Sequence, residues 1–259
     1  MIALVVAAAI PQQWPATLLF QVGQIGSTAN VLADPNNVIQ RVKFPGFADQ
    51  VLQAEKLPID PAKSDRSALI KKTLEARMIK GGSLLEMEVR GYSPEEAKAN
   101  LLAAFHVLET EHSELLLPSV IRLEKNRADA TASLQKIEGE RAAIWEPIKK
   151  VNSAGTIERK FSESILLASM LKSNESEMRA FREQINAFDE QLSPYRTFNT
   201  KAVATIYIPL RPAFPKKGTA LALGVVLGFF LAATYAFVRD KALRAAFSTL
   251  LRDSVQPAD

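Results

Sequence analysis

The chain has 259 residues, with 32 Lys and Arg against 28 Asp and Glu for a net charge of +4, no cysteine and two histidines. The missing cysteines exclude a disulfide framework, a thiolate nucleophile, an iron–sulfur cluster and every Cys-based zinc site, and so mild a charge excludes a nucleic-acid footprint unless the basic residues cluster. His106 and His112 lie six residues apart, about 240° around a helix, so they cannot grip one metal from one face.

In chain order, the first segment is the apolar run 1–10 (MIALVVAAAI). Ten residues make about 15 Å of helix, too short to span a bilayer. No Lys or Arg precedes Arg41 and Pro11 follows at once, so the charged start of a signal peptide is missing. The run reads either as a hydrophobic terminal strand or helix of a folded domain, or as the trailing half of a first membrane helix.

Three segments read as strands sharing a sheet: 16–22 (ATLLFQV), 84–89 (LLEMEV) and 202–208 (AVATIYI). They are rich in β-branched and large apolar residues and are bounded by Gly or Pro. Between the first two, 65–79 carries Leu69, Ile70, Leu74 and Met78 on a helical period and stops at Gly81 and Gly82, which predicts one helix to cover the sheet. After the second strand, Ser93-Pro94-Glu95-Glu96 is a helix start, with Ser as N-cap, Pro at the first helical position and Glu placed for a capping box. Ala97, Leu101, Phe105 and Leu108 follow along one stripe.

Beyond Pro118 a second helical stretch, 120–145, is charged and punctuated by Ala128, Ala130 and Ala132, which predicts an exposed arm. Pro147 and Gly155 mark a turn, and 157–192 is helical again. There Leu171, Met178, Ile185 and Leu192 fall seven apart, with Phe181 and Phe188 at the complementary positions and Asn174 interrupting them. That is an a/d seam, and it predicts an antiparallel helical hairpin of roughly 40 Å. The Asn174-Glu175-Ser176 sequon inside the seam is incidental.

The third strand leads into Pro209, Pro212 and Pro215, followed by Lys216 and Lys217. Prolines three apart align on one face of a polyproline II helix, so the segment reads as a stiff, hydrogen-bond-free spacer. Gly218 to Val238 then runs 21 residues without a charge, about 31 Å of helix, and reads as a transmembrane segment. Its Gly224 and Gly228 form a GxxxG that lets a second backbone approach. Basic residues flank it on both sides, so charge alone orients it weakly.

No segment matches a phosphate-binding GxxxxGK[ST]. The carboxylates Glu86, Glu88, Glu95, Glu96, Glu109 and Glu111 read as solvated faces, and no catalytic residue, metal ligand or cofactor site is expected.

The proline spacer, the Pro215-Lys216 step and the glycine-bearing final apolar helix together resemble the C-terminal signature of the Wzz-type chain-length determinants, the polysaccharide co-polymerase family of bacterial inner membranes. Pro15-Ala16-Thr17 leading to Gln21-Val22-Gly23 is similar to that family's first periplasmic strand. The 84–89 strand followed by Gly91-Tyr92-Ser93-Pro94-Glu95-Glu96-Ala97 is similar to its strand and following helix start. Two features depart from the pattern: the first membrane helix is at best half present, and Phe214 stands where the family often has Ser.

The resemblance implies an α/β (α+β) periplasmic domain with a long helical arm and a C-terminal transmembrane helix. It divides the chain into a remnant of the first transmembrane helix (1–10), a membrane-proximal α/β domain (11–93), the arm (94–197), a returning strand with the proline spacer (198–217), the transmembrane helix (218–238) and a short cytoplasmic tail (239–259). A fused tyrosine-kinase domain is not expected. The implied function is a non-enzymatic homo-oligomeric scaffold in the bacterial inner membrane that sets the chain length of a surface or exported polysaccharide, O-antigen or exopolysaccharide. Its implied partners are other copies of itself, the polymerase, the glycan chain and the lipid bilayer. Two other readings stay open: a periplasmic adaptor of an export system, and a membrane activator of a separate tyrosine kinase.

Overall fold

The computed structural model describes residues 10–26, 34–79, 84–151, 157–215 and 217–239; the side chains at 147–151, 157–160, 217, 219–221, 223, 227, 233 and 236–238 are not described. The expectation for residues 1–10 falls almost wholly outside this set, as does that for 240–259.

β1 (Trp14–Gln21) and β3 (Leu84–Gly91) pair antiparallel from Trp14 opposite Gly91 to Gln21 opposite Leu84. Strict alternation sets the two faces: Ala16, Leu18 and Phe20 on one strand and Leu85, Met87 and Val89 on the other are buried, while the residues between them face outward. β2 (Glu75–Met78) and β4 (Lys201–Ala202) complete a four-stranded sheet in the order β2-β3-β1-β4. α1 (Pro35–Lys43), α2 (Pro45–Ala54) and α3 (Asp65–Thr73) precede β2. Val38, Phe47, Val51, Leu52 and Ile70 from these helices join the core on the apolar face of the sheet.

α4 (Pro94–Val151) crosses the same face with its first turns, burying Ala97, Leu101, Ala104, Phe105 and Leu108. Phe105 packs edge-on against Phe20, with ring centroids 5.9 Å apart. The expected cap is present: Ser93 Oγ accepts from Glu96 N at 3.1 Å. The Glu96 carboxylate turns to Arg66 Nε at 3.5 Å.

Three expectations need correction. The helix predicted over 65–79 ends at Thr73, because 75–78 pairs with β3 from Glu75 opposite Glu88 to Met78 opposite Leu85. Thr73 Oγ1 marks the break, donating to Leu69 O and accepting from Arg90 N. Sheet pairing overrides the local helical pattern here. Pro118 does not interrupt the next helix, since α4 runs through it. The proline removes one helical hydrogen bond at about 3 kcal/mol, and the packing of Leu116 and Ala130 on either side holds the helix together. Pro147 also lies within α4, so it does not mark the turn as expected; residues 152–156, Gly155 among them, lie outside the described residues.

α5 (Ile157–Leu192) returns antiparallel along α4 and, at 36 residues, is about 54 Å long, longer than expected. Its seam is as predicted: Leu171, Asn174, Met178, Phe181, Ile185, Phe188 and Leu192 are buried or half-buried, and their neighbours are exposed apart from Gln191 and Ser193. The partner seam on α4 is Leu123, Ala130, Ile137 and Ile144, again seven apart. The stretch expected to have little to bury thus presents small and β-branched residues to the bulky side chains of α5.

Candidate functional site

The distinctive local geometry is the run from the end of α5 back along β1. Gln24 and Phe198 exchange backbone hydrogen bonds of 2.9 and 3.0 Å. Phe20 and Gln21 pair with Ala202 and Lys201, Thr17 and Tyr207 exchange two bonds of 2.9 Å, and Gln13 N donates to Phe214 O at 3.0 Å. The strand predicted over 202–208 is therefore continuous only at 201–202, and the chain beyond it is tacked to β1 at intervals.

The intervals are uneven. From Phe20 to Thr17, three residues of β1 face five of the returning chain, and from Thr17 to Gln13, four face seven. The surplus residues bow out from the edge. Pro209, Pro212 and Pro215 explain why pairing fails here, because none has an N–H to donate. The spacer expected to be free of hydrogen bonds is instead a strap: Ala213 N donates to Gln13 O at 2.9 Å. Pro209, Pro212 and Pro215 are half-buried, whereas Leu210 is fully exposed. Lys216 lies outside the described residues.

At the opposite end of β1 the arm is bolted to the sheet. Thr200, 1% exposed, accepts from Gly23 N at 2.9 Å through Oγ1, and the same oxygen lies 2.5 Å from His112 Nδ1. Only glycine fits at 23, because a Cβ there would stand 2.7 Å from Thr200 N. Thr200 N donates to its neighbour Asn199 Oδ1, and Asn199 Nδ2 donates to Glu109 O. Burial lowers the His112 pKa below its ordinary value, with Glu111 acting weakly against it, so the ring is neutral near pH 7. In the sequence His112 serves only to exclude a metal site; the signal that marks it as structural is its place on the buried stripe, four residues after Leu108. His106 is exposed beside Glu109.

Within the arm, Asn174 Nδ2 donates to Ile137 O at 3.0 Å, while its Oδ1 is buried without a hydrogen-bond partner. Arg127 with Asp189 and Arg182 with Glu138 tie the two helices at the rim of the seam.

The GxxxG lies on α6 (Lys217–Arg239), a helix of 23 residues. Gly224 is half-buried, Gly228 is exposed, and a Cβ added at Gly228 would meet nothing within 4 Å. Among the described residues no helix is long and apolar enough to cross a membrane. The side chains described on α6 are interrupted at ten positions, so no unbroken apolar stretch of spanning length is described there.

On the outer face of the sheet, Arg77 forks onto Glu86 at 3.0 and 2.8 Å and lies 3.8 Å from Glu88. These carboxylates serve cross-strand ion pairing.

No family model matches the chain, and no curated protein matches it. Among solved structures it is similar to a point-mutant form of the Shigella flexneri lipopolysaccharide O-antigen chain-length regulator WzzBSF, with 16% sequence identity and a TM-score of 0.29 over 78% of this chain and 100% of that one.

Proposed function

We propose that the chain is a polysaccharide co-polymerase of the bacterial inner membrane, a homo-oligomeric scaffold without catalytic residues that sets how many repeat units a polymerase adds to an O-antigen or exopolysaccharide. The observation that carries this reading is the polarity of the fold. Gln13 and Phe214, the two points where the chain enters and leaves the sheet, are hydrogen-bonded at one corner. The helical arm leaves from the other end of β1, where Gln24 meets Phe198.

A domain whose chain enters and leaves the sheet at one corner, with a long hairpin at the far end, suits anchoring at a membrane with the arms standing off it. Supporting it are the motifs that resemble the co-polymerase family: 15–23 along and just past β1, 84–97 across the β3 to α4 step, and the prolines on the strap before α6. In this reading the 218–238 run crosses the bilayer. Its 21 uncharged residues include ten Leu, Val and Phe, contributing roughly −3 to −6 kcal/mol on the insertion scale. The sheet and arm then lie in the periplasm, residues after Arg239 in the cytoplasm, and copies meet through Gly224 and Gly228 in the membrane and through the domain outside it.

Removing the gene from its host and profiling the glycan by length tests this. The expected result is polymer still made, with its preferred length lost and restored on complementation. Unchanged lengths, or no polymer at all, would contradict it.

A further inference from the structure

We infer that the bow at 208–212 is a membrane-docking loop whose Leu210 enters the interfacial layer of an anionic bilayer; this rests on the reading of α6 as a membrane span. Leu210 sits at the middle of the seven-residue run that faces only four residues of β1, and it is fully exposed. Pro209 and Pro212 fix φ on both sides of it, and the bow is pinned by Tyr207 N to Thr17 O before it and Ala213 N to Gln13 O after it, both 2.9 Å. A large apolar side chain held out on a stiff, doubly pinned loop gains nothing from water.

Reach and charge select the occupant. Phe214 is bonded to Gln13, and α6 begins at Lys217, three residues later, so at most about 10 Å of chain separates the sheet corner from the helix. A headgroup layer is about 5 to 7 Å deep on each face, so a spanning α6 keeps this corner at the membrane surface. Tyr207 and Phe214 beside the bow are exposed aromatics of the kind found at that level.

The charges agree. Residues 1–33, which supply β1, carry no charge, and residues 203–238 contain no Asp or Glu but do contain Arg211, Lys216 and Lys217. Every charged residue in these two segments is therefore basic, which favours anionic lipid.

The natural absence of cysteine gives a clean test. Leu210→Cys, Tyr195→Cys and Val226→Cys are each spin-labelled in the full chain, reconstituted in phosphatidylethanolamine–phosphatidylglycerol vesicles, and probed with oxygen and a water-soluble nickel chelate. All three side chains are exposed, so none of the changes removes packing. The expected result is a label at 226 in hydrocarbon, at 195 in water, and at 210 between them, with several-fold less access to nickel than 195. If 226 lies in hydrocarbon while 210 is as open to nickel as 195, the docking loop is wrong and the span stands. If 210 is shielded from both probes, protein covers it and the bilayer is the wrong occupant. If 226 is open to water, the span fails and the inference fails with it.

Discussion

His112 joins three parts of the molecule through one oxygen, since Thr200 Oγ1 meets the imidazole from α4 and the Gly23 amide from the end of β1. The charged group that acts on the ring is Glu111 on α4, which pairs with Arg41 of α1. Because burial sets its folded pKa below that of the unfolded chain, about 6.5, the neutral ring contributes its full stability above that pH. The contribution is lost progressively as pH falls through 6.5 toward the folded value. Thermal melts of wild type between pH 7.5 and 5.5 should therefore decline, and those of His112→Gln should decline less; equal slopes would refute the assignment. Thr200→Val leaves the Gly23 amide without its acceptor and should destabilise the fold by about 1 to 3 kcal/mol. Two glycines make a sharper pair. A Cβ at Gly91 would stand 2.3 Å from the Ala97 backbone nitrogen, whereas one at Gly139 meets nothing within 4 Å. In denaturant unfolding Gly91→Ala should cost at least about 1 to 3 kcal/mol, and Gly139→Ala, inside a helix, should gain about 0.5 to 1 kcal/mol.

Among the elements, those with strong periodicity are legible in the amino-acid sequence itself. β1, β3 and the α5 seam follow from alternation or from heptads of large residues, and the start of α4 follows from Ser93 and Pro94. The α4 half of the seam is not legible, because Ala130 carries no hydrophobic signal above its neighbours and gains meaning only once α5 packs along α4. β2 is hidden because Leu74 and Met78 fit a helical period as well as a strand, and only pairing with β3 decides. The proline segment is legible as a motif, but its strapping to β1 depends on partners 190 or more residues away. Asn174 supplies the test at this scale. Asn174→Leu removes a buried oxygen without a partner and should raise the melting midpoint of the hairpin, while loosening the register that a polar seam residue specifies. A lower midpoint would show that the Ile137 carbonyl bond outweighs the orphaned oxygen.

At the scale of the whole molecule, the sheet carries the arm at one end and the chain's entry and exit at the other, and in the proposed scaffold self-association would multiply that unit. Pro209, Pro212 and Pro215 stiffen the chain between β4 and α6, so under the proposed function a change in packing between α6 helices would be transmitted to the sheet. The carboxylates most prominent in the sequence, Glu86 and Glu88, are occupied by Arg77, and replacing either should shift the glycan length distribution modestly. The most direct test of scaffold action is the glycan length profile of cells whose only copy of the gene carries Gly228→Leu. A Cβ at that position meets nothing within 4 Å among the described residues, so the substitution is expected to leave folding intact and to block the approach of a second helix. Scaffold action predicts normal protein level, continued polymer synthesis and a changed preferred length. An unchanged profile, or loss of polymer with the protein stably present, would contradict it.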